Sequence, residues 1–178
     1  RQEHGRTLSE EIVEGILQEC AGYFATGNWR QSYNAKRTSS TANRVATMLL
    51  SDANKTIALR HTDMLVDSLI SGLLLDEDNF RRTQDAGDLL QQTCVEIFQS
   101  LSLFGPGAEI LRTRKQVLRC LHEVSASGMS KASRTSADAT LFELEEEKRK
   151  PVVKPSDGGT SSTAPPHLMA SYNWDHQD

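Results

Sequence analysis

The chain has 178 residues, 37% hydrophobic and only 6% aromatic, with a formal charge of −4. That length holds one ordinary domain, and its core has to be aliphatic. The acidic balance excludes a general nucleic-acid surface, which needs a clustered basic excess.

The N-terminus, RQEHGRTLSEE, has neither a starting Met nor a secretory apolar core, so the chain reads as a piece of a longer polypeptide. Apolar residues then recur at steps of three and four up to about residue 150, the mark of helices with one buried face. The first predicted helix covers 8–24, with Ile12, Val13, Ile16, Leu17, Cys20 and Phe24 on its stripe. Thr7 and Glu10 have capping-box spacing at its start, and Gly27 is a plausible stop. The polar stretch NWRQSYNAKRTSS follows, with Trp29 and Tyr33, and reads as an ordered connection or short helix. A second helix is expected over 41–50, through Val45, Met48 and Leu49. A third is expected over 53–75, with a break near His61-Thr62. There Ile57, His61, Met64, Leu65, Ser68, Leu69 and Leu73 share one face, while Val66, Ile70 and Leu74 form a second, so it must be covered on two sides. This segment ends in MLVDSLISGLLL, which Asp67, Ser68, Ser71 and Gly72 keep short of the about 18 apolar residues that span a bilayer.

The acidic DEDN (76–79) reads as a turn. A fourth helix follows over 83–103, through Leu90, Cys94, Ile97, Phe98 and Leu101, and FGPG (104–107) is read as its terminating turn. A fifth is expected over 108–124, with Ile110, Leu111, Val117, Leu118, Leu121 and Val124. After the loop SASGMS comes a last helix over 136–149, whose EEEKRK run reads as a solvated end with ion pairs at four-residue spacing. From Pro151 the composition changes. PVVKPSDGGTSSTAPP holds four of the five prolines and buries too little apolar surface to offset ordering, so 151–166 reads as a disordered linker. The closing dozen, HLMASYNWDHQD, opens like a buried strand.

Chemistry-bearing groups are sparse. Cys20, Cys94 and Cys120 are odd in number, far apart and on apolar stripes, as expected of buried inert thiols in a reducing compartment. Arg119 beside Cys120 is the one hint of thiol activation. His4, His61, His122, His167 and His176 do not pair at metal spacing. His61 and His122 are expected to be partly buried helix residues. His176 beside Asp175 and Asp178 is the one cation-site candidate. No phosphate-binding, dinucleotide-binding or nucleophile-elbow motif is present. Carboxylates such as Glu10 and Glu11 lie on polar faces where nothing would tune them for proton transfer. The helical region thus offers no catalytic, cofactor-binding or metal residue.

Uneven amphipathic helices joined by short turns suit an α-solenoid or, alternatively, a compact helical bundle. MLVDSLISGLL and QVLRCLHEVSA share apolar spacing at an offset of about fifty residues, a little beyond the armadillo/HEAT period. The order between them is a two-sided Leu-rich helix, an acidic turn, a helix ending VEIFQSLSLF, a Pro-Gly turn and a further helix. It resembles the armadillo/HEAT pattern. The last dozen residues resemble the opening strand of a Toll/interleukin-1 receptor (TIR) domain, an aliphatic run followed by Ser-Tyr, here Leu168-Met169-Ala170 and Ser171-Tyr172. Ala170 is smaller than the usual aliphatic there. The resemblance implies armadillo-like helices over 1–150, a linker over 151–166, and the first strand of a truncated TIR domain over 167–178.

In TIR domains that cleave NAD the end of that strand lines the nucleotide pocket, which makes Ser171, Tyr172 and Trp174 the strand-end candidates. The catalytic glutamate of such domains would lie beyond Asp178. What the resemblance implies is a non-enzymatic interaction, scaffold or regulatory module of a cytosolic signalling or innate-immunity protein. Its partners would be proteins, its own TIR domain among them, with homo-oligomers formed through TIR domains, and it would itself hold no cofactor. Two alternatives stand beside this: the regulatory region of a parent NAD hydrolase, with NAD as the parent's substrate, and a self-contained helical oligomerisation domain.

Overall fold

A computed structural model describes residues 7–25, 32–83 and 86–149. Among these residues the chain is all helical, with no strand. Its α-helices are α1 (Glu10–Ala25), α2 (Ser32–Met48), α3 (Asp52–Ala58), α4 (Thr62–Gly72), α5 (Gly87–Ser102), α6 (Gly105–Thr113), α7 (Lys115–Ser127) and α8 (Lys131–Arg149). Short 3-10 turns at Leu59–His61 and Phe80–Thr83 join α3 to α4 and precede α5. No helix among the described residues is long and apolar enough to cross a membrane. The expected linker and closing strand lie outside the described residues.

Several boundaries differ from the sequence expectation for identifiable reasons. Helix α1 starts at Glu10, and the Ser9 carbonyl accepts the first helical bonds from the Ile12 and Val13 amides. Thr7 is therefore out of register for a capping box with Glu10. Helix α2 begins nine residues before the expected 41; its buried positions include Thr38 and Thr41, which carry no aliphatic signal in the sequence. The break near His61-Thr62 is present. Helix α5 begins at Gly87, not 83, after the 3-10 turn. Helix α5 ends before FGPG as expected, at Ser102, but FGPG also starts a new helix: Pro106 occupies the first turn of α6, where its missing amide costs nothing. The expected fifth helix is two helices, split at Arg114 (φ −95, ψ 88). At that break the Arg114 side chain pairs with Asp63 on α4. The last helix starts at Lys131, five residues early.

The helices pack in two columns. Helix α1 packs on α4, and α4 on α7; α2 packs on α5, and α5 on α8. Each column is tied to the other by α1·α2, α4·α5 and α7·α8 contacts. Helices α2 and α8 each lie on α5 without comparable contact with each other. The buried positions repeat with this packing. In the first column Val13, Leu65 and Val117 are 52 residues apart, as are Ile16, Ser68 and Cys120, and Leu17, Leu69 and Leu121; all nine are buried. In the second, Thr38, Thr41, Ala42, Val45 and Leu49 map by the same 52 onto buried Leu90, Thr93, Cys94, Ile97 and Leu101. From α5 to α8 the step falls to 43, and Leu90, Cys94, Ile97, Phe98 and Leu101 meet Ser133, Ala137, Thr140, Leu141 and Leu144, again all buried. Residues 73–86 join α4 to α5, whereas 128–130 suffice between α7 and α8, which shortens the step. The short helices repeat as well: buried Asn54, Lys55 and Ala58 of α3 fall 53 residues before buried Gly107, Ala108 and Leu111 of α6.

One contiguous core results. Its largest fully buried side chains are Phe98 and a set of leucines and isoleucines, each worth about 1.5–3 kcal/mol relative to exposure. Polar clamps fix the helix ends. Arg81 Nη2 donates to the Tyr23 carbonyl of α1 (2.6 Å), Arg82 Nη1 to the Leu74 carbonyl after α4 (2.7 Å), and Arg134 Nη1 to the Gly128 carbonyl after α7 (2.6 Å). A guanidinium at each last turn satisfies a carbonyl without an intrahelical partner and meets the negative end of the helix dipole. The completely buried Gln91 amide ties the end of α4 to the connection between α7 and α8: its Nε2 donates to the Leu73 carbonyl (2.6 Å) and its Oε1 accepts from the Met129 amide (2.7 Å).

Candidate interaction surfaces

The outward side of the second column is built from equivalent positions. By the 52- and 43-residue steps, Ser40, Gln92 and Thr135 form one row. Thr47, Gln99 and Phe142 form a second, and Arg44, Glu96 and Ala139 a third. Each of these residues is exposed or half-buried. Gln92 Nε2 donates to Glu96 Oε1 (2.8 Å), and Phe142 is 52% exposed. The face is therefore mostly uncharged and rich in hydroxyl and amide groups, with one aromatic. Such a surface can hydrogen-bond a peptide backbone and stack on an apolar side chain.

At one end of that face lies a cleft of about 490 Å³, within the about 300–1,000 Å³ usual for ligand sites. The side chains of Leu8, Ile16, Met48 and Leu50 give it an apolar lining. Its polar wall is Ser40, Asn43, Arg44, Thr47 and Asn54. Most of these groups are already engaged. Asn54 Oδ1 accepts from the Leu8 amide (2.9 Å) while its Nδ2 donates to the Met48 carbonyl (2.9 Å). Thr47 Oγ1 donates to the Asn43 carbonyl (2.9 Å), and Arg44 pairs with Glu19 of α1. Arg44 and Glu19 are about half exposed, and such a surface pair contributes under about 1 kcal/mol. With most of its polar groups so committed, the cleft offers mainly apolar contact.

The titratable residues singled out in the sequence fall elsewhere. Burial pushes the Cys20 thiol up to about 12, with the Glu19 charge adding to the effect. Cys94 is driven well above the ordinary thiol range by complete burial, and by Cys20 beside it. Burial also raises Cys120 and outweighs the opposing pull of Arg119. All three stay protonated and unreactive at neutral pH, and Arg119 does not activate its neighbour. His61 is partly buried as expected, and its Nε2 has no hydrogen-bond partner. His122 is not partly buried: its side chain is 58% exposed and its Nε2 lies 3.1 Å from Glu145 Oε1, because that side of α7 faces outward beside α8. No group of three or more metal-binding side chains comes together among the described residues. Arg81 is almost fully buried, and desolvation lowers its pKa. Ser171, Tyr172 and Trp174 lie outside the described residues, as do His4, His167, His176, Asp175 and Asp178.

Sequence reasoning placed no binding residue on the helices. The cleft could not be read from a helical stripe, because it joins the start of α1, the end of α2 and the start of α3. A signal for the outward face does exist: Ser40, Thr47, Gln92 and Gln99 recur at the same 52-residue step as the core. Protein-family models, curated proteins and solved structures were all compared with the chain, and none matches.

Proposed function

We propose that this chain is an armadillo/HEAT-like solenoid segment that serves as a non-enzymatic interaction and regulatory module, placed ahead of a TIR domain in a cytosolic signalling protein. The single observation that carries the solenoid reading is the repeat of buried positions. A 52-residue step is shared by both columns and falls to 43 only from α5 to α8, and each helix packs on its neighbours in the stack, the pattern of repeat proteins in which a layer buries its face only against adjacent layers. A bundle closed around a single centre would not require the 52-residue step to be shared by the two columns. The Pro-rich 151–166 and the Leu168-Met169-Ala170-Ser171-Tyr172 run support the TIR assignment through sequence alone.

In this reading the rows on α2, α5 and α8 present a partner-binding face. The linker sets the effective concentration at which a following TIR domain meets that face or another copy. The fragment performs no catalysis. NAD cleavage, if the longer protein carries it out, belongs to residues beyond Asp178.

The test uses the full-length protein. Thr47→Arg and Gln99→Arg together place two charges on the outward face while leaving every buried contact alone. The reading expects unchanged thermal stability and an altered TIR output, measured as self-association and NAD consumption. An output equal to that of the parent, both for this variant and for a protein lacking 1–149, would sink it.

A further inference from the structure

The stretch Asn34 to Arg44, NAKRTSSTANR, holds no apolar side chain larger than alanine. Its Ser, Thr and Asn residues are poor helix formers, yet all of it lies in α2. Thr38, Thr41 and Ala42 are buried there, whereas Ser40 is exposed. Opening residues 34–42 gives up no large apolar side chain, and segments of that kind open at low free energy. The rest of the helix differs, because Val45, Met48 and Leu49 belong to the core. Basic residues flank the exposed hydroxyl. Lys36 and Arg37 precede Ser40 by four and three positions, and Arg44 follows it by four. Four residues is about one helical turn, so Ser40 and Arg44 share a face of α2. The Arg44 side chain is half exposed and pairs with Glu19 of α1.

We propose that Ser40 is a phosphorylation site for a basophilic serine/threonine kinase, and that the new phosphate takes Arg44 from Glu19. Such kinases hold an opened substrate segment and select by charge pattern, with acidic side chains that receive basic residues three and four before the hydroxyl through charge-assisted hydrogen bonds. In the transfer the Ser40 Oγ–P bond forms as the bond between the γ-phosphorus of ATP and its ADP leaving group breaks, and the hydroxyl proton passes to the kinase's aspartate. The product carries about −1.5 to −2 charge and three strong acceptor oxygens. A guanidinium one turn away can donate two parallel bonds to them, whereas its exposed pair with Glu19 is weak. Ser40 lines the cleft and heads the row that continues in Gln92 and Thr135, so the phosphate charges the first-layer end of a mostly uncharged face. Spacing alone does not pick the site. Arg44 and Thr47 repeat the spacing of Arg37 and Ser40, and Thr47 is exposed too. Reaching Thr47 requires unfolding past Val45, Met48 and Leu49, and its hydroxyl already donates to the Asn43 carbonyl (2.9 Å). The stability of the helix around each hydroxyl therefore selects Ser40 and excludes Thr47.

The test incubates the full chain with ATP, magnesium and the catalytic subunit of a basophilic kinase, and locates phosphate by fragment mass spectrometry. Phosphate is expected on Ser40 and not on Thr47. Ser40→Ala should remove it, Ser39→Ala should keep it, and Arg37→Ala should slow the transfer about tenfold or more through the loss of one charged contact. Thermal melts establish that each variant folds. Phosphorus NMR against pH reads the second half of the proposal. Arg44 favours the dianion, so the Ser40 phosphate should lose its last proton below the ordinary midpoint of about 6, and Arg44→Ala should return it there. A full chain left unmodified, phosphate on Ser39 or Thr47 instead, or a transfer indifferent to Arg37→Ala would each overturn the site. A midpoint that ignores Arg44→Ala would overturn the exchange of partners. None of these readouts uses TIR output, so their failure removes the phosphorylation site and leaves the solenoid reading standing.

Discussion

Gly72→Ala sets two physical effects of opposite sign against each other at one atom. Gly72 is the last residue of α4 and is buried. Helix propensity alone favours alanine there by about 1 kcal/mol. The structure opposes it, because a Cβ on Gly72 would intrude on Cys94 Sγ of α5 by about an ångström relative to ordinary van der Waals separation. The Phe24 ring stands 3.5 Å from the same point. Cys94 is completely buried, so relieving the overlap drives Sγ into its packed neighbours or parts α4 from α5. Overpacking of that kind costs about 1–3 kcal/mol. The net expectation is a loss of about 1–2 kcal/mol, or roughly 3–6 °C in Tm for a chain of this size. Urea or thermal denaturation of the parent, Gly72→Ala, Cys94→Ala and the double variant completes a cycle. On the Cys94→Ala background the clash is gone, and Gly72→Ala should become neutral or stabilising, giving a coupling of about 2 kcal/mol. If Gly72→Ala raises Tm on the parent background, or if the two substitutions are additive within about 0.5 kcal/mol, the steric argument is wrong.

Three further outcomes are expected. Gln91→Met keeps the volume but leaves the Leu73 carbonyl and the Met129 amide without their partner, so stability should fall by about 2–4 kcal/mol and hydrogen exchange at the Met129 amide should quicken; unchanged exchange there would contradict the clamp. The raised Cys20, Cys94 and Cys120 thiols hold their protons more tightly folded than unfolded, so their contribution is complete below the unfolded thiol value and stability should decline as pH rises above about 8.5; a Cys20→Ala variant should show a shallower decline between that pH and about 12. Ala86, at the start of α5, has φ 69, a left-handed conformation that costs a residue with a side chain about 1–2 kcal/mol, so Ala86→Gly is expected to raise Tm by a few degrees, and a lowered Tm would show that the methyl group contributes more than its backbone strain removes.

The sequence by itself determined that this chain is helical, where most of its apolar stripes lie, and that its thiols are inert. These features are local: a stripe at steps of three and four declares a buried helical face whatever covers it. It also carried the repeat, though only as an echo of about fifty residues between two segments. The steps of 52, 43 and 53 become visible once burial is known, because Thr38, Thr41, Ser68, Asn54 and Gly107 occupy core positions without core composition. Those same residues explain the misplaced boundaries. Helix α2 buries threonines at 38 and 41, and α6 opens on Gly-Pro-Gly, a triplet that by itself reads as a stop. Only the tertiary structure decided that the pattern breaks at Arg114, which pairs with Asp63, that Gln91 bridges Leu73 and Met129, and that Leu8, Met48 and Asn54 enclose one cleft. Each of these depends on groups far apart in the chain meeting across a packed interface, and no local periodicity encodes such a meeting.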